Sequence, residues 1–185
     1  MALLQSKQLP IGQWNAPDFS LPSTNEKTYT LNEISGKSGT VIFFTCNHCP
    51  YAKAAWPILI DLAKLYQGNN ISFVAINSNN ADTYPEDSFE VMKEKVDEWN
   101  IPFPYLRDES QEIARSYQAQ CTPDIYVFDK EKKLYYHGRV NDNWQDPQAV
   151  KEENLKDALE LLVKGEQPPE HQPSSMGCSI KWKEG

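Results

Sequence analysis

Two cysteines three residues apart, Cys46 and Cys49, bracket Asn47 and His48 and run straight into Pro50. Sulfur at this spacing supports a reversible disulfide, a nucleophilic thiolate or half of a metal site. The reactive form of cysteine is the thiolate. A helix N-terminus stabilises that charge through its free N–H groups and its dipole. The flanking residues supply such a terminus. Thr40 to Thr45 is a β-branched and aromatic run that suits a buried strand. From Pro50 to Gln67, the residues Ala55, Ile58, Leu59, Leu62, Ala63 and Tyr66 fall on a helical stripe, and Gly68 follows as the expected cap. A strand therefore delivers the thiol pair to the start of a helix.

Proline is favoured at the first helical position, where its missing N–H costs nothing. Pro50 in that place makes Cys49 the N-cap, with its sulfur over the free amides. Were Cys46 the N-cap, Pro50 would sit a turn inside and remove a helical hydrogen bond. Helix chemistry thus favours Cys49 as the attacking thiol and Cys46 as its nearest resolving partner. The reverse order stays open. His48 either tunes the thiolate by its charge or simply faces solvent. Structural zinc takes four ligands, and no second C-x-x-C or H-x-H cluster completes a site here, so no metal or other cofactor is expected.

The remaining elements must hold this motif. Ala16 to Pro22 suits a short edge strand, and Ile71 to Asn77 a second buried strand. Asp87 to Trp99 and Ser110 to Ala119 have helical spacing, with Ile101 to Leu106 extended between them. Ile125 to Asp129 and Leu134 to Val140 form a hairpin through Lys130-Glu131-Lys132. Val150 to Lys164 is an amphipathic helix closed by Gly165. The order of strands and helices implies a mixed central sheet with helices on both faces. Residues 1–165 read as one domain and residues 166–185 as a polar, proline-rich tail.

The chain has 185 residues, 39% hydrophobic and 24% charged, with a net charge of −8. That acidic balance argues against nucleic acid or an anionic membrane surface as a partner. No apolar run approaches the roughly 18 residues that span a bilayer. The first ten residues lack the charged head and apolar core of a secretory signal, so a cytoplasmic location is expected. Four cysteines are too few for a disulfide scaffold of this length, and in a reducing compartment catalysis or redox chemistry is their expected use.

Three features together resemble the peroxiredoxin-like branch of the thioredoxin-fold superfamily (alkyl hydroperoxide reductase and thiol-specific antioxidant proteins). They are Ala16-Pro17-Asp18-Phe19-Ser20-Leu21-Pro22 with Leu31 and Gly36-Lys37, the strand–cysteine–helix unit at 41–66, and Cys121-Thr122-Pro123 ahead of Ile125. The resemblance covers roughly residues 10–164. It implies an α/β, three-layer fold with a mixed central sheet and an N-terminal peroxiredoxin-type extension. It implies a cis Pro123 facing the thiols, with Thr122 and Pro123 offering a backbone edge to a peptide substrate. Pro57, eight residues after Cys49, matches a kinking proline common in such helices, and Cys49-Pro50 is similar to the peroxidatic Cys-Pro.

Two departures matter. The family's peroxide-binding threonine position holds Cys46, and its arginine position holds Thr122-Pro123, leaving Arg107 or Arg139 as substitutes. The resemblance therefore implies a thiol-based oxidoreductase that performs thiol–disulfide exchange, with peroxide reduction as a companion antioxidant activity. Cys121 and Cys178 are further resolving candidates. The implied partners are a protein or small-molecule disulfide or a hydroperoxide, and a thioredoxin-type or low-molecular-weight thiol as reductant, for a monomer or homodimer. The competing reading is a non-catalytic thioredoxin-fold binding or scaffolding module with incidental cysteines.

Overall fold

The computed structural model describes residues 3–184. In chain order the strands and helices are β1 (Leu3–Gln5), β2 (Ser20–Pro22), β3 (Thr28–Thr30), α1 (Leu31–Ile34), β4 (Gly39–Phe44), α2 (Pro50–Tyr66), β5 (Ile71–Asn77) and α3 (Phe89–Trp99). There follow β6 (Tyr105–Arg107), α4 (Glu112–Ser116), β7 (Cys121–Thr122), β8 (Asp124–Asp129), β9 (Leu134–His137), α5 (Asn154–Lys164) and β10 (Met176–Ser179).

The central sheet runs β6-β5-β4-β8-β9. Strand β4 lies in the middle, with every residue buried, which is why its sequence is apolar throughout rather than alternating. It pairs parallel with β5, from Gly39↔Ile71 to Phe44↔Ile76, and antiparallel with β8, from Gly39↔Asp129 to Phe44↔Asp124. Successive side chains leave on opposite faces. Val41 and Phe43 pack against Trp56 and Leu59 of α2, Met92 of α3 and Leu155 and Leu159 of α5. Ile42 and Phe44 pack against Leu31 and Ile34 of α1, Ala114 of α4, and Tyr117, with Trp14 of the N-terminal segment outside them. The result is the expected thioredoxin-like three-layer architecture, and it fixes both ends of the segment 45–49.

Boundaries moved where side chains claimed the backbone. Helix α2 continues as a 3-10 turn over Gln67–Asn69, and Asn70 rather than Gly68 takes the left-handed conformation (φ 58°). Asparagine tolerates that region well. Helix α5 starts at Asn154 instead of Val150, because the Asp142 carboxylate accepts the N–H groups of Lys151 and Glu152 and holds them out of the helix. It ends as expected at Gly165, with φ 71°.

The larger difference is at the two ends of the chain. Of the segment read as a tail, 166–185, the described residues 166–184 fold back over the domain. Strand β10 lies antiparallel between β1, in what read as an irregular lead-in, and β7. Hydrogen bonds of the backbone hold this return, and Ile180 and Trp182 pack on the core beside them. Ser6 N–H donates to the Ser175 carbonyl (2.9 Å) and Asn80 N–H to the Lys181 carbonyl (2.7 Å). Lys181 N–H donates to Asn79 Oδ1 and Lys183 N–H to Gln111 Oε1, each at 2.8 Å. No helix among the described residues is long and apolar enough to cross a membrane.

Candidate active site

Strand β4 ends at Phe44 and α2 begins at Pro50, so the intervening residues turn over the C-terminal edge of the sheet. Cys49 is the N-cap, with extended backbone (φ −67°, ψ 130°), and Pro50 is the first helical residue. The Thr122–Pro123 peptide is cis, as the resemblance implied. It places Thr122 against three sulfur-bearing residues. Thr122 Oγ1 lies 3.4 Å from Cys46 Sγ, Cys49 Sγ lies 3.4 Å from the Thr122 carbonyl oxygen, and Thr122 Oγ1 donates to the Cys178 carbonyl (3.5 Å). Cys46, Cys49 and Cys178 pack as one cluster with Ala52, flanked by Tyr51. All three are buried.

The two motif thiols are pushed apart. Cys49 is lowered to about 4, first by the hydrogen bond from Cys46 and further by Cys178 and the amides of Ala52 and Cys178, against the opposing cost of burial. No amide closes on the sulfur with full cap geometry, so its charge rests mainly on the neighbouring thiol. Cys46 is driven well up, by burial first, then by its donation to Cys49 and the negative charge of Asp87. Two titratable groups with separated affinities for a proton mark an acid and a base role. The hydrogen bond from Cys46 therefore favours the thiolate at Cys49, and burial keeps the proton on Cys46.

Asp87, which precedes α3, is the centre of a buried polar network under the motif. Its oxygens accept the Asn47 N–H (2.7 Å), Asn79 Nδ2 (2.7 Å) and Asn77 Nδ2 (3.2 Å), and one lies 2.7 Å from His48 Nδ1. Tyr105 donates to Asn47 Oδ1 (2.9 Å) and accepts from Asn77 (3.1 Å). Burial opposes the Asp87 charge, yet the hydrogen bonds from His48, Asn47 and Asn79 hold its affinity for a proton below the usual range. The hydrogen bond to Asp87 raises His48, against a smaller burial effect, and the charges of Asp87 and Cys49 add to it. His48 is thus not a plain surface residue; it is half-buried and stacks on Tyr84. Asp87, Asn77, Asn79 and Tyr105 were missed from sequence. The available signal was the polar run Asn77-Ser78-Asn79-Asn80 at the end of an otherwise apolar strand.

Other expected residues separate. Cys121 stands outside the sulfur cluster, its thiol donating to the Pro123 carbonyl (3.5 Å). Burial, then the Asp124 charge, pushes it far above the ordinary thiol range. Arg107 is buried beside Asp87, donating to the Asn77 carbonyl (3.4 Å) and to Glu109 (2.8 Å). Arg139 turns to Asn154 and Glu152 (2.8 and 2.7 Å) on the wall of a cavity of about 300 Å³ that Tyr51, Pro123, Trp144 and Met176 also line. The backbone edge at Thr122, expected to receive a substrate peptide, is taken by the chain's own β10, with Cys178 opposite Thr122. Donor atoms of Cys46, His48 and Asp87 lie within 4.8 Å of one another, so the fold brings a carboxylate from 38 residues away to the motif. Both Asp87 oxygens are already committed to hydrogen bonds, which makes this a proton and hydrogen-bond network first.

A mixed three-layer sheet, a dithiol at a helix N-terminus and a facing cis-proline define a thioredoxin-fold thiol oxidoreductase. Residues 13–137 match the AhpC/TSA family, more than half the chain, and the chain belongs to that family. The crystal structure of an uncharacterized conserved protein from Geobacillus kaustophilus is 43% identical, with a TM-score of 0.95 over 100% of this chain and 98% of that one. The thiol-disulfide oxidoreductase ResA of Oceanobacillus iheyensis is 27% identical over 115 residues, 60% of this chain; the match spans 56% of that protein. A secreted Mycobacterium tuberculosis disulfide oxidoreductase shares the fold, with a TM-score of 0.58 at 18% identity over 80% of this chain and 95% of that one.

Proposed function

We propose that the protein catalyses thiol–disulfide exchange with Cys49 as the attacking thiol and Cys46 as its resolving partner. The observation that carries this is the asymmetry of the pair: Cys49 is held as thiolate by the thiol of Cys46, which itself stays protonated. The Cys49 thiolate attacks a disulfide sulfur and forms a mixed disulfide. Cys46 then attacks Cys49, and its proton leaves toward Asp87 or the departing thiolate. The name of the Oceanobacillus relative, a thiol-disulfide oxidoreductase, supports the same reaction. The expected thioredoxin-type or low-molecular-weight thiol would restore the dithiol.

Dedicated peroxide reduction has less support. Cys46 stands where the family has its threonine, and Arg107 and Arg139 point their guanidinium groups at Glu109 and Glu152. The test is reductase-coupled consumption of NADPH with a small alkyl disulfide, repeated with hydrogen peroxide. Turnover on the disulfide should vanish in Cys49→Ser. Full activity in that variant, or faster turnover on peroxide than on disulfide, would overturn the proposal.

A further inference from the structure

Cys178 takes part in no step described so far, yet it lies with Cys46 and Cys49 in one buried sulfur cluster. Its position has a specific chemical meaning. An extended peptide that binds to a sheet edge gains main-chain hydrogen bonds there and presents alternate side chains. At the edge formed by Thr122, β10 is such a peptide, running antiparallel with Cys178 opposite Thr122 and Ser179 opposite Cys121. The Thr122 carbonyl that lies 3.4 Å from the Cys49 sulfur also lies against this strand. A Cβ on Gly177 would run into that same carbonyl oxygen, so the glycine before Cys178 is what allows the strand to come this close. The cysteine on β10 thus stands where the cysteine of an exchanging substrate would stand.

We propose that Cys178 is a third redox thiol, a built-in exchange partner of Cys49 that β10 lays along the substrate edge. The proposal rests on Cys49 being the attacking thiol. In the first step the Cys49 thiolate attacks a disulfide R–S–S–R, giving Cys49–S–S–R and RS⁻. In the second, the Cys178 thiol attacks the Cys49 sulfur, the new S–S bond forms, and R leaves as RSH with the Cys178 proton. In the third, the Cys46 thiol displaces Cys178 from Cys49, leaving a Cys46–Cys49 disulfide and returning the proton to Cys178. Two thiols are oxidised and one disulfide is reduced overall. The shift of Cys49, which Cys178 assists through both its thiol and its amide, agrees with this contact. Because the protein edge is filled from within, the substrate that reaches Cys49 while β10 is seated is a small molecule.

The test is a single turnover of reduced protein with dithiobis(nitrobenzoate), whose released thiolate is coloured. Cys46→Ser should release one equivalent on attack by Cys49, then a second in a first-order step independent of protein concentration. Peptide mapping should find Cys49 joined to Cys178. Cys46→Ser/Cys178→Ser should stop after one equivalent and keep the nitrobenzoate adduct on Cys49. Gly177→Ala, which keeps Cys178 but pushes β10 outward, should slow the second release and not the first. A second release at the same rate without Cys178, or none in Cys46→Ser, overturns the third thiol. If Cys49 forms no adduct in the first step, the assignment of the attacking thiol fails, and this proposal fails with it.

Discussion

Replacing Cys46 by alanine removes the largest single support of the Cys49 thiolate. Hydrogen bonds to charged groups contribute about 1.5–3 kcal/mol. One pKa unit corresponds to about 1.4 kcal/mol, so Cys49 should rise by about one to two units. Starting from about 4, it should then titrate roughly between 5 and 6. It should not return to the free thiol value of about 8.5, because the first-turn amides and the helix dipole remain. Cys46→Ser keeps a hydroxyl donor at nearly the same place and should shift less. The assay is the ultraviolet absorbance of the thiolate in reduced protein as a function of pH, with Cys49→Ser as the blank. An unchanged midpoint in Cys46→Ala would refute the reasoning, since the charge would then rest on the helix alone. A midpoint that fell would refute it more strongly.

Further outcomes follow from the same geometry. At pH 7 a thiol lowered to about 4 is stabilised by about three log units relative to a free one, or about 4 kcal/mol. That places the Cys46–Cys49 couple about 90 mV above an unperturbed dithiol, measurable by equilibration with glutathione; a value at or below thioredoxin's, about −270 mV, would contradict it. Stability should depend on pH with two signs. Cys49 is lowered on folding, so its contribution is complete above the unfolded value, about 8.5, and is lost as pH falls through about 4; urea titrations should show the gap between wild type and Cys49→Ser widening from pH 5 to pH 8. His48 is raised, so its contribution is complete below about 6.5 and is lost as pH rises through the folded value; the gap between wild type and His48→Asn should narrow over the same range. Treatment with a chelator should leave the melting temperature unchanged, because Asp87 is already saturated by donors; a drop reversed by zinc alone would show a metal on Cys46, His48 and Asp87.

The parts of the site that were legible in the sequence are those governed by local rules. Pro50 can occupy only a few helical positions without loss, and that alone set the N-cap at Cys49. The apolar run of β4 and the stripe of α2 announced a buried strand and a packed helix, and Pro123 stood out by its place before β8. What stayed hidden depends on long-range partners. Asp87 is 40 residues from Asn47, whose amide it accepts, and nothing in its neighbours distinguishes it from a helix-capping acid. Strand β10 has four residues, two of them Gly177 and Ser179, and it is held by pairing with β1 and β7, with Cys178 alone of its side chains packed in a core cluster. A polar segment can be part of a core edge when its backbone supplies the contacts, and periodicity does not report that.

The most direct measurement is the rate of iodoacetamide labelling of the reduced protein at pH 5.5, with each cysteine located by peptide mapping. At that pH, between the lowered Cys49 and the raised Cys46 and Cys178, only one thiolate is present. The label should appear on Cys49 and leave Cys46, Cys121 and Cys178 unmodified. Label on Cys46 in place of Cys49, or none on either until the pH approaches the free thiol value, would contradict the account.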